Sequence, residues 1–180
     1  MIRRVLCALA LCACSPGEAT WRTTAEPDAA RVAKAEVARD ALGGALLAEL
    51  QQALASGGPA QGIQVCRERA PAIAAEVSAE HGVSIGRTSF QLRNTRNRPP
   101  AWAMDSVREK ADSPRFFESS TGALGALYPI RLAPHCVVCH GPPERIAAPV
   151  REALSASYPD DAATGFEPGD LRGWFWVEVP

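Results

Sequence analysis

The sequence carries almost no net charge and no long apolar run. Its 180 residues include 19 basic and 20 acidic side chains, a formal charge of −1, and the arginines are scattered. Because nucleic-acid binding needs a basic surface, this balance gives no reason to expect a nucleic-acid partner. The apolar run at 5–13 has nine residues, too few to span a bilayer. No internal repeat is evident, so one domain is expected.

The first residues are typical of an export signal. Arg3 and Arg4 provide a basic start, and the apolar run at 5–13 follows them. The segment 11–14, with the sequence LCAC, resembles the bacterial lipobox, in which cleavage before the last cysteine leaves a thiol that becomes diacylated. The sequence therefore predicts a lipoprotein signal peptide at 1–13.

Lipidation of Cys14 would anchor the mature chain to a membrane. Residues 14–27 contain Pro and Gly and little apolar periodicity, so they are expected to form a tether. An ordinary secretory signal cut nearby is the alternative. Ser15, in place of Asp, favours sorting to the outer membrane. The expected location is therefore the periplasmic face of a bacterial membrane, or the periplasm itself.

The most specific motif is a pair of cysteines followed at once by a histidine, Cys136, Cys139 and His140. This spacing is the attachment pattern of a c-type haem, in which each thiol forms a thioether with one vinyl group and the histidine ligates the iron. A zinc site needs four ligands and usually a second cysteine pair, which the sequence lacks. A thioredoxin-like pair should open a helix, whereas Pro142 and Pro143 follow here. The motif predicts one covalent haem c.

The remaining cysteines leave one thiol unexplained. Cys7 and Cys12 lie in the signal peptide, Cys14 takes lipid, and the haem motif uses two more of the 6 cysteines. Cys66 is then alone, and an unpaired thiol in an oxidising compartment is a liability unless it is buried or used. It belongs to an apolar stripe with helical spacing, which directs it to the interior. The stripe consists of Ile63, Cys66, Ala70, Ile73 and Val77.

Apolar periodicity predicts a long N-terminal helical segment. Residues 28–55 are rich in Ala, Leu and Glu, with an interruption or loosening at the glycines 43–44 and a stop at Gly-Gly-Pro, 57–59. A second helical segment follows at 60–80. Within it, Pro71 marks a kink or the first residue of a separate helix.

The rest of the chain mixes extended and helical segments. Alternating and β-branched residues predict strands at 83–93, 124–132 and 171–179. Short helices are predicted at 101–111 and 145–157. This order indicates an α+β fold in which helices flank an antiparallel sheet.

Several segments, taken in order, resemble a known family. They are GIQVC at 62–66, IGRTS at 85–89, LRN at 92–94, CVVCHG at 136–141, YPDDAATGF at 158–166 and GDLRG at 169–173. With them the chain resembles the bacterial c-type haem domains of uncharacterised function, which have a PAS-like fold and occur as exported proteins or sensor modules. The resemblance implies a PAS-like haem domain at 28–180. Asn97, Pro99 and Trp102 also match, but Ala103 departs from the pattern, because in this family an acidic residue is common after that tryptophan.

The resemblance also implies the second axial ligand. In this family the iron carries a histidine and a cysteine thiolate, and the matching cysteine is Cys66. The motif makes His140 the other ligand. Three alternatives remain open from the residues alone. Met104 would be a ligand of the ordinary cytochrome type, His81 lies at a predicted helix end, and His135 adjoins the motif.

Other side chains are candidates for support of the haem. Arg87 and Arg93 would pair with the propionates, or would lie on a solvated strand face. Trp102, Tyr128 and Phe175 would form walls beside the macrocycle, or belong to the core.

The expected function is redox sensing or low-potential electron transfer by an exported, lipid-anchored monohaem protein, with an unidentified redox or signalling partner. A thiolate ligand stabilises Fe(III) and lowers the potential, and its release on reduction would open a site for a gas or other small ligand. The competing hypotheses are a haem enzyme of the peroxidase or nitrite-reductase type and a lipoprotein whose motif binds zinc.

Overall fold

The computed structural model describes residues 19–180; the predicted signal peptide and Cys14 lie outside them. In this part of the chain, five strands form one antiparallel sheet with the order β1-β3-β4-β5-β2. Helices cover the sheet, which confirms the predicted α+β fold with a long N-terminal helix. The helices are α1 (Ala29–Glu68), α2 (Ala70–His81), α3 (Met104–Arg108), α4 (Val137–His140) and α5 (Ala148–Ser157), and the strands are β1 (Trp21–Thr23), β2 (Ser84–Thr88), β3 (Arg115–Ser119), β4 (Leu124–Arg131) and β5 (Leu171–Val179).

Helix α1 folds back on itself at Gly58. This residue has φ +67° and ψ −164°, a conformation that glycine adopts without steric cost. After it the chain reverses, since a Cβ added at Gly62 would lie 3.1 Å from side-chain atoms of both Leu50 and Leu54. The predicted stop at 57–59 is therefore confirmed.

Two other expectations about the helices can be compared with the structure. The helix continues through 43–44 without a break, so the predicted interruption there was wrong; packing of both flanks on the sheet outweighs the low helix propensity of glycine. Pro71 lies in the first turn of the separate helix α2, where its missing N–H costs little. This is one of the two alternatives that the sequence offered.

The two faces of the sheet are covered differently. Helices α1 and α2 pack on the helical face, where Ile85, Tyr128 and Val177 belong to the main core. The opposite face, called the tryptophan face, carries a core of Trp102, Phe117, Leu127 and Trp174 beneath the short segment at 101–108. The alternation of side chains along β4 and β5 separates the two cores.

The start of the domain differs from the expectation. Residues 14–27 were expected to be a tether, but β1 pairs with β3, with Trp21 opposite Ser119. Trp21 also packs on Trp102 with a centroid separation of 5.6 Å. This part of the segment therefore belongs to the folded domain. Its short length and lack of alternation hid the strand from the sequence.

A third, smaller core lies beside the haem motif. It joins Ile63 of α1 to Ile146, to Val150 and Leu154 of α5 and to Tyr158, and Cys139 packs against it. None of the helices between residues 19 and 180 has both the length and the apolar character needed to cross a membrane.

Candidate functional site

The haem motif spans a 3-10 turn and the short helix α4 that follows it, after β4. A 3-10 turn ends at Cys136, and α4 carries Cys139 and His140. Gly141 then ends the helix with its N–H donating to the carbonyl of Val137 at 2.8 Å. A Cβ at this position would lie 2.6 Å from the same oxygen, so only glycine allows this close turn. The motif is thus presented as one compact unit.

His140 has one ring nitrogen committed to the backbone. Its Nδ1 lies 2.8 Å from the carbonyl oxygen of Ala163, which favours a proton on Nδ1 and leaves the lone pair on Nε2. Arg172 Nε lies farther from Nδ1, at 3.3 Å. Burial, together with the charges of Arg93 and Arg172, lowers the pKa of His140 to about 2. The imidazole is therefore neutral, as a metal ligand must be.

Arg93 holds the loop that contacts His140. Its Nε forms an ion pair with Asp161 Oδ2 at 3.0 Å, and both side chains are only 12% and 11% exposed. Its Nη2 donates to the carbonyls of Cys139 and Ala163 at 2.5 and 3.1 Å, and its Nη1 lies 3.4 Å from His140 Nε2. Asp161 Oδ1 also accepts the N–H of Ala163 at 2.8 Å. One buried ion pair thus positions the carbonyl that orients the imidazole.

Cys66 reaches the same region from the second arm of α1. It is half-buried, and burial raises the pKa of its thiol, while the nearby charges of Arg87 and Arg93 oppose that rise. A thiolate at Cys136 would raise the Cys66 pKa further. Cys66 therefore shares Arg93 with the haem motif. It also lines a cavity of about 170 Å³ with Arg87, Ile130 and Phe175.

Two arginines at the site have no carboxylate partner within residues 19–180. Arg87 on β2 makes no ion pair there, and burial lowers its pKa. Arg172 donates to two neutral groups, Ser89 Oγ and the Gln91 carbonyl, and burial with the charge of Arg93 lowers its pKa to about 10. A partly buried guanidinium group with no carboxylate partner is incompletely compensated, so the site favours an anionic ligand.

A register shift explains how Arg172 reaches His140. Ile130 pairs with Gly173 and Arg131 with Leu171, so Arg172 is an extra residue on β5. Such bulges redirect a side chain. A Cβ at Gly173 would lie 2.3 Å from the carbonyl oxygen of Thr88, so glycine is needed for β2 and β5 to approach here.

The structure does not bring every predicted residue to the site. Trp102 lies in the core of the tryptophan face, where its indole N–H donates to Glu178 Oε1 at 2.7 Å, in agreement with the alternative that it belongs to the core. Met104 is 49% exposed at the start of α3. His81 ends α2 beside the left-handed Gly82. Between residues 19 and 180, none of the three forms a hydrogen bond with His140, because each belongs to a different layer or helix end.

The remaining three candidates lie in three different places. His135 is exposed in the turn before Cys136. Tyr128 lies on the helical face under Arg39 and lines a neighbouring cavity that does not include Cys66. Phe175 lines the cavities of both Cys66 and Tyr128, and it is the one predicted wall residue that reaches the site.

Sequence reasoning missed several residues of the site. Asp161 and Ala163 orient His140, and Arg172 contacts it. Tyr158 lies near Cys66, Arg93 and Arg87, whose charges affect its pKa, and burial raises that pKa. The segments 158–166 and 169–173 stood out in the family resemblance, which was the available signal for all four residues. No pattern in the sequence reveals the bulge at Arg172.

The donor set comprises three thiols and one imidazole. Cys66, Cys136 and Cys139 are all free thiols. In residues 19–180, no three His, Cys, Asp or Glu side chains are grouped as ligands of a bare metal ion. A neutral imidazole, two thiols on one turn and unpaired guanidinium groups fit a haem with anionic propionates.

Comparison with known proteins gives two matches. The chain matches the Tll0287-like family over residues 18–180. It is also similar in structure to the cyanobacterial heme-protein Tll0287, with a TM-score of 0.62 and 21% sequence identity, over 86% of this chain and 97% of that chain. No curated protein matches it.

The structural match supports the predicted PAS-like fold, and the family match confirms the resemblance found in the sequence. The match begins at residue 18, just before β1, in agreement with the inclusion of that strand in the domain. The chain belongs to the Tll0287-like family.

Proposed function

We propose that the chain is an exported haem c protein that serves redox sensing or low-potential electron transfer. Cys136 and Cys139 would form the thioether bonds, and His140 and Cys66 would be the axial ligands. The contact that carries the proposal is the 2.8 Å pair between His140 Nδ1 and the Ala163 carbonyl, because it holds the tautomer whose Nε2 can ligate iron. The match to a family that includes a heme-protein supports it.

The charges around the motif support the same proposal. Arg87 and Arg172 lack carboxylate partners in the described residues and would pair with the two propionates. Arg93 is already paired with Asp161, so its role is to hold the loop at 161–163. This division revises the expectation that Arg87 and Arg93 serve the propionates together.

Bound haem would supply a one-electron Fe(III)/Fe(II) couple, whose potential a thiolate ligand lowers. The chain's own contribution is the proton balance at Cys66 Sγ. Burial raises the pKa of this thiol, so its thiolate form depends on a cationic partner. Loss of positive charge beside Cys66 raises the pKa of the thiol, so Sγ then takes up a proton more readily. Because Cys66 can be protonated and so lost as a ligand, we propose sensing as well as electron transfer.

Export and lipidation are proposed from the sequence of 1–14. Attachment of haem c takes place outside the cytoplasmic membrane, so an export signal is consistent with the motif. A lipid on Cys14 would place the domain at the periplasmic face of a bacterial membrane. Its redox or signalling partner would then lie in the same compartment.

Covalent attachment is tested by producing the full chain with haem-attachment machinery. Intact mass after extraction with acidic acetone should show one haem per chain in the wild type, and none in Cys136→Ser/Cys139→Ser. Cys66→Ser is the matched control, since it removes a thiol from the site but should retain covalent haem. Wild-type protein that loses all haem on extraction would contradict the proposal.

A further inference from the structure

The chain enters the domain beside the turn that joins β3 to β4. The Ser120 N–H donates to the carbonyl of Thr20 at 2.8 Å, and the Thr20 N–H donates to Ser120 Oγ at 3.2 Å. Pairing of β1 with β3 follows from Trp21 onward. The chain before Thr20 therefore joins the domain at this turn, which spans 119–123 and is called the hairpin end.

Helix α1 also starts at the hairpin end. Arg31, near the start of the helix, donates to the carbonyl of Gly122 in the turn. Further along α1, the Arg39 guanidinium carbon lies 4.6 Å from the centroid of the Tyr128 ring, in the middle of β4. The residues of the first arm that lie beside Cys66 come later still. The first arm of α1 therefore runs along β4 and away from the hairpin end.

The haem motif lies at the opposite end of β4. The strand runs from Leu124, beside the turn, to Arg131, and the motif follows at 136–140. His140 stays at that end, because Arg172 Nε lies 3.3 Å from its Nδ1 and the neighbours of Arg172 pair with the last residues of β4. The seven intervals between the 8 residues of β4, at about 3.4 Å each, separate the two ends by roughly 24 Å.

The tether between the predicted lipid and the domain is shorter than this separation. Six peptide steps join Cys14 to Thr20, and a fully extended chain gains at most about 3.5 Å per step, or roughly 21 Å in all. A flexible chain of this length spans on average only about 13 Å. To turn the haem motif toward the lipid, the hairpin end would have to stand farther from the bilayer than the tether permits.

The surface at the hairpin end suits lipid headgroups rather than the hydrocarbon core. Ser120 and Thr121 at the tip are exposed and polar, and Arg22 on β1 is paired with Glu118 at 2.6 Å. In the part of the chain that the structure describes, the exposed large apolar side chains lie elsewhere, at Val37, Leu47, Met104 and Val138. The hairpin end therefore does not insert, and the acyl chains on Cys14 would provide the attachment.

We propose that the anchored domain rests its hairpin end on the lipid headgroups and holds the haem motif in the aqueous phase, away from the bilayer. The inference rests on the proposed lipidation of Cys14 and does not require bound haem. A redox or signalling partner would then approach the motif from the aqueous phase. A partner embedded in the bilayer would not reach it.

Photo-crosslinking from the lipid surface tests this orientation. The lipidated full chain is reconstituted in vesicles of phosphatidylethanolamine and phosphatidylglycerol that contain a phospholipid with a diazirine on its headgroup. After illumination, peptide mass spectrometry should find several-fold more label in 19–24 and 118–123 than in 134–146. A water-soluble diazirine should label both ends, which shows that the peptides of both are detected.

Two insertions separate the length of the tether from the length of the chain. About twelve Gly-Ser residues inserted after Gly17 extend the reach to roughly 60 Å, so label should also appear in 134–146. The same segment added after Pro180 leaves the tether unchanged and should give the wild-type pattern. Cys14→Ser, which cannot be lipidated, should not associate with the vesicles.

The outcomes distinguish this inference from the lipidation on which it rests. A wild-type chain that associates with vesicles no better than Cys14→Ser overturns the lipidation and the orientation with it. A vesicle-bound wild type with equal label at both ends, or with more in 134–146, overturns the orientation alone. An unchanged pattern after the insertion at Gly17 also overturns it, because the tether would then not set the orientation.

Discussion

The Nδ1 atom of His140 and the carbonyl oxygen of Ala163 are 2.8 Å apart. This contact joins the haem motif to a loop that follows α5, and Asp161 and Arg93 hold that loop. A histidine ligand is oriented by the partner of its other ring nitrogen. The geometry of the site therefore depends on residues well separated from the motif in sequence.

Asp161→Asn should destabilise the protein by about 3 kcal/mol. The Asp161–Arg93 pair is buried, and removal of one partner leaves a buried charge uncompensated. Urea denaturation followed by circular dichroism measures the change in the free energy of unfolding. The amide preserves size, so the effect reports charge and hydrogen bonding rather than a cavity.

An exposed ion pair provides the matched control for Asp161→Asn. Arg145 and Glu167 are 2.9 Å apart, with side chains 67% and 51% exposed. Glu167→Gln should cost less than about 1 kcal/mol, because water screens such pairs. Equal effects of the two substitutions would show that the Asp161 pair has no special role.

Tyr128 should make the protein less stable at high pH. Its pKa is about 12 when folded and about 10 when unfolded. The unfolded state therefore loses this proton first. The stability that the neutral phenol provides is complete below pH 10 and is lost as the pH rises to about 12, by at most about 1.4 kcal/mol per pH unit.

Comparison of the wild type with Tyr128→Phe isolates this titration. Urea midpoints measured from pH 9 to pH 12 should fall more steeply for the wild type, because the variant has no hydroxyl to ionise. The other tyrosine, Tyr158, and the lysines titrate in both proteins and cancel in the difference. Parallel curves would show that Tyr128 ionises as readily in the folded state as in the unfolded state.

Local patterns in the sequence were sufficient for most of the fold. Glycine, proline and the alternation of apolar with polar side chains act over a few residues. They predict the stop at 57–59, the strands at 124–132 and 171–179 and the fold class. β1 was missed because three residues carry too little pattern. The glycines at 43–44 led to a wrong expectation of an interrupted helix. Tertiary packing decides whether a helix continues, and helix propensity takes no account of it.

The candidate site was predicted in part. Spacing alone identifies Cys136, Cys139 and His140, and the helical stripe directs Cys66 inward. The sequence left two places open for Trp102, because a tryptophan in a core looks the same in sequence as one beside a cofactor. The contact of Arg172 with His140 arises from a bulge in strand pairing, which requires knowledge of the register between β4 and β5.

The claim that Cys66 and His140 form two halves of one haem site is tested most directly by the ferric spectrum. Electron paramagnetic resonance and visible absorption of the haem-loaded full chain should show low-spin, thiolate-ligated iron. Cys66→Ala should lose that signal and retain covalent haem, whereas Met104→Leu should leave it unchanged. A high-spin wild type, or identical low-spin spectra for the wild type and Cys66→Ala, would contradict the account.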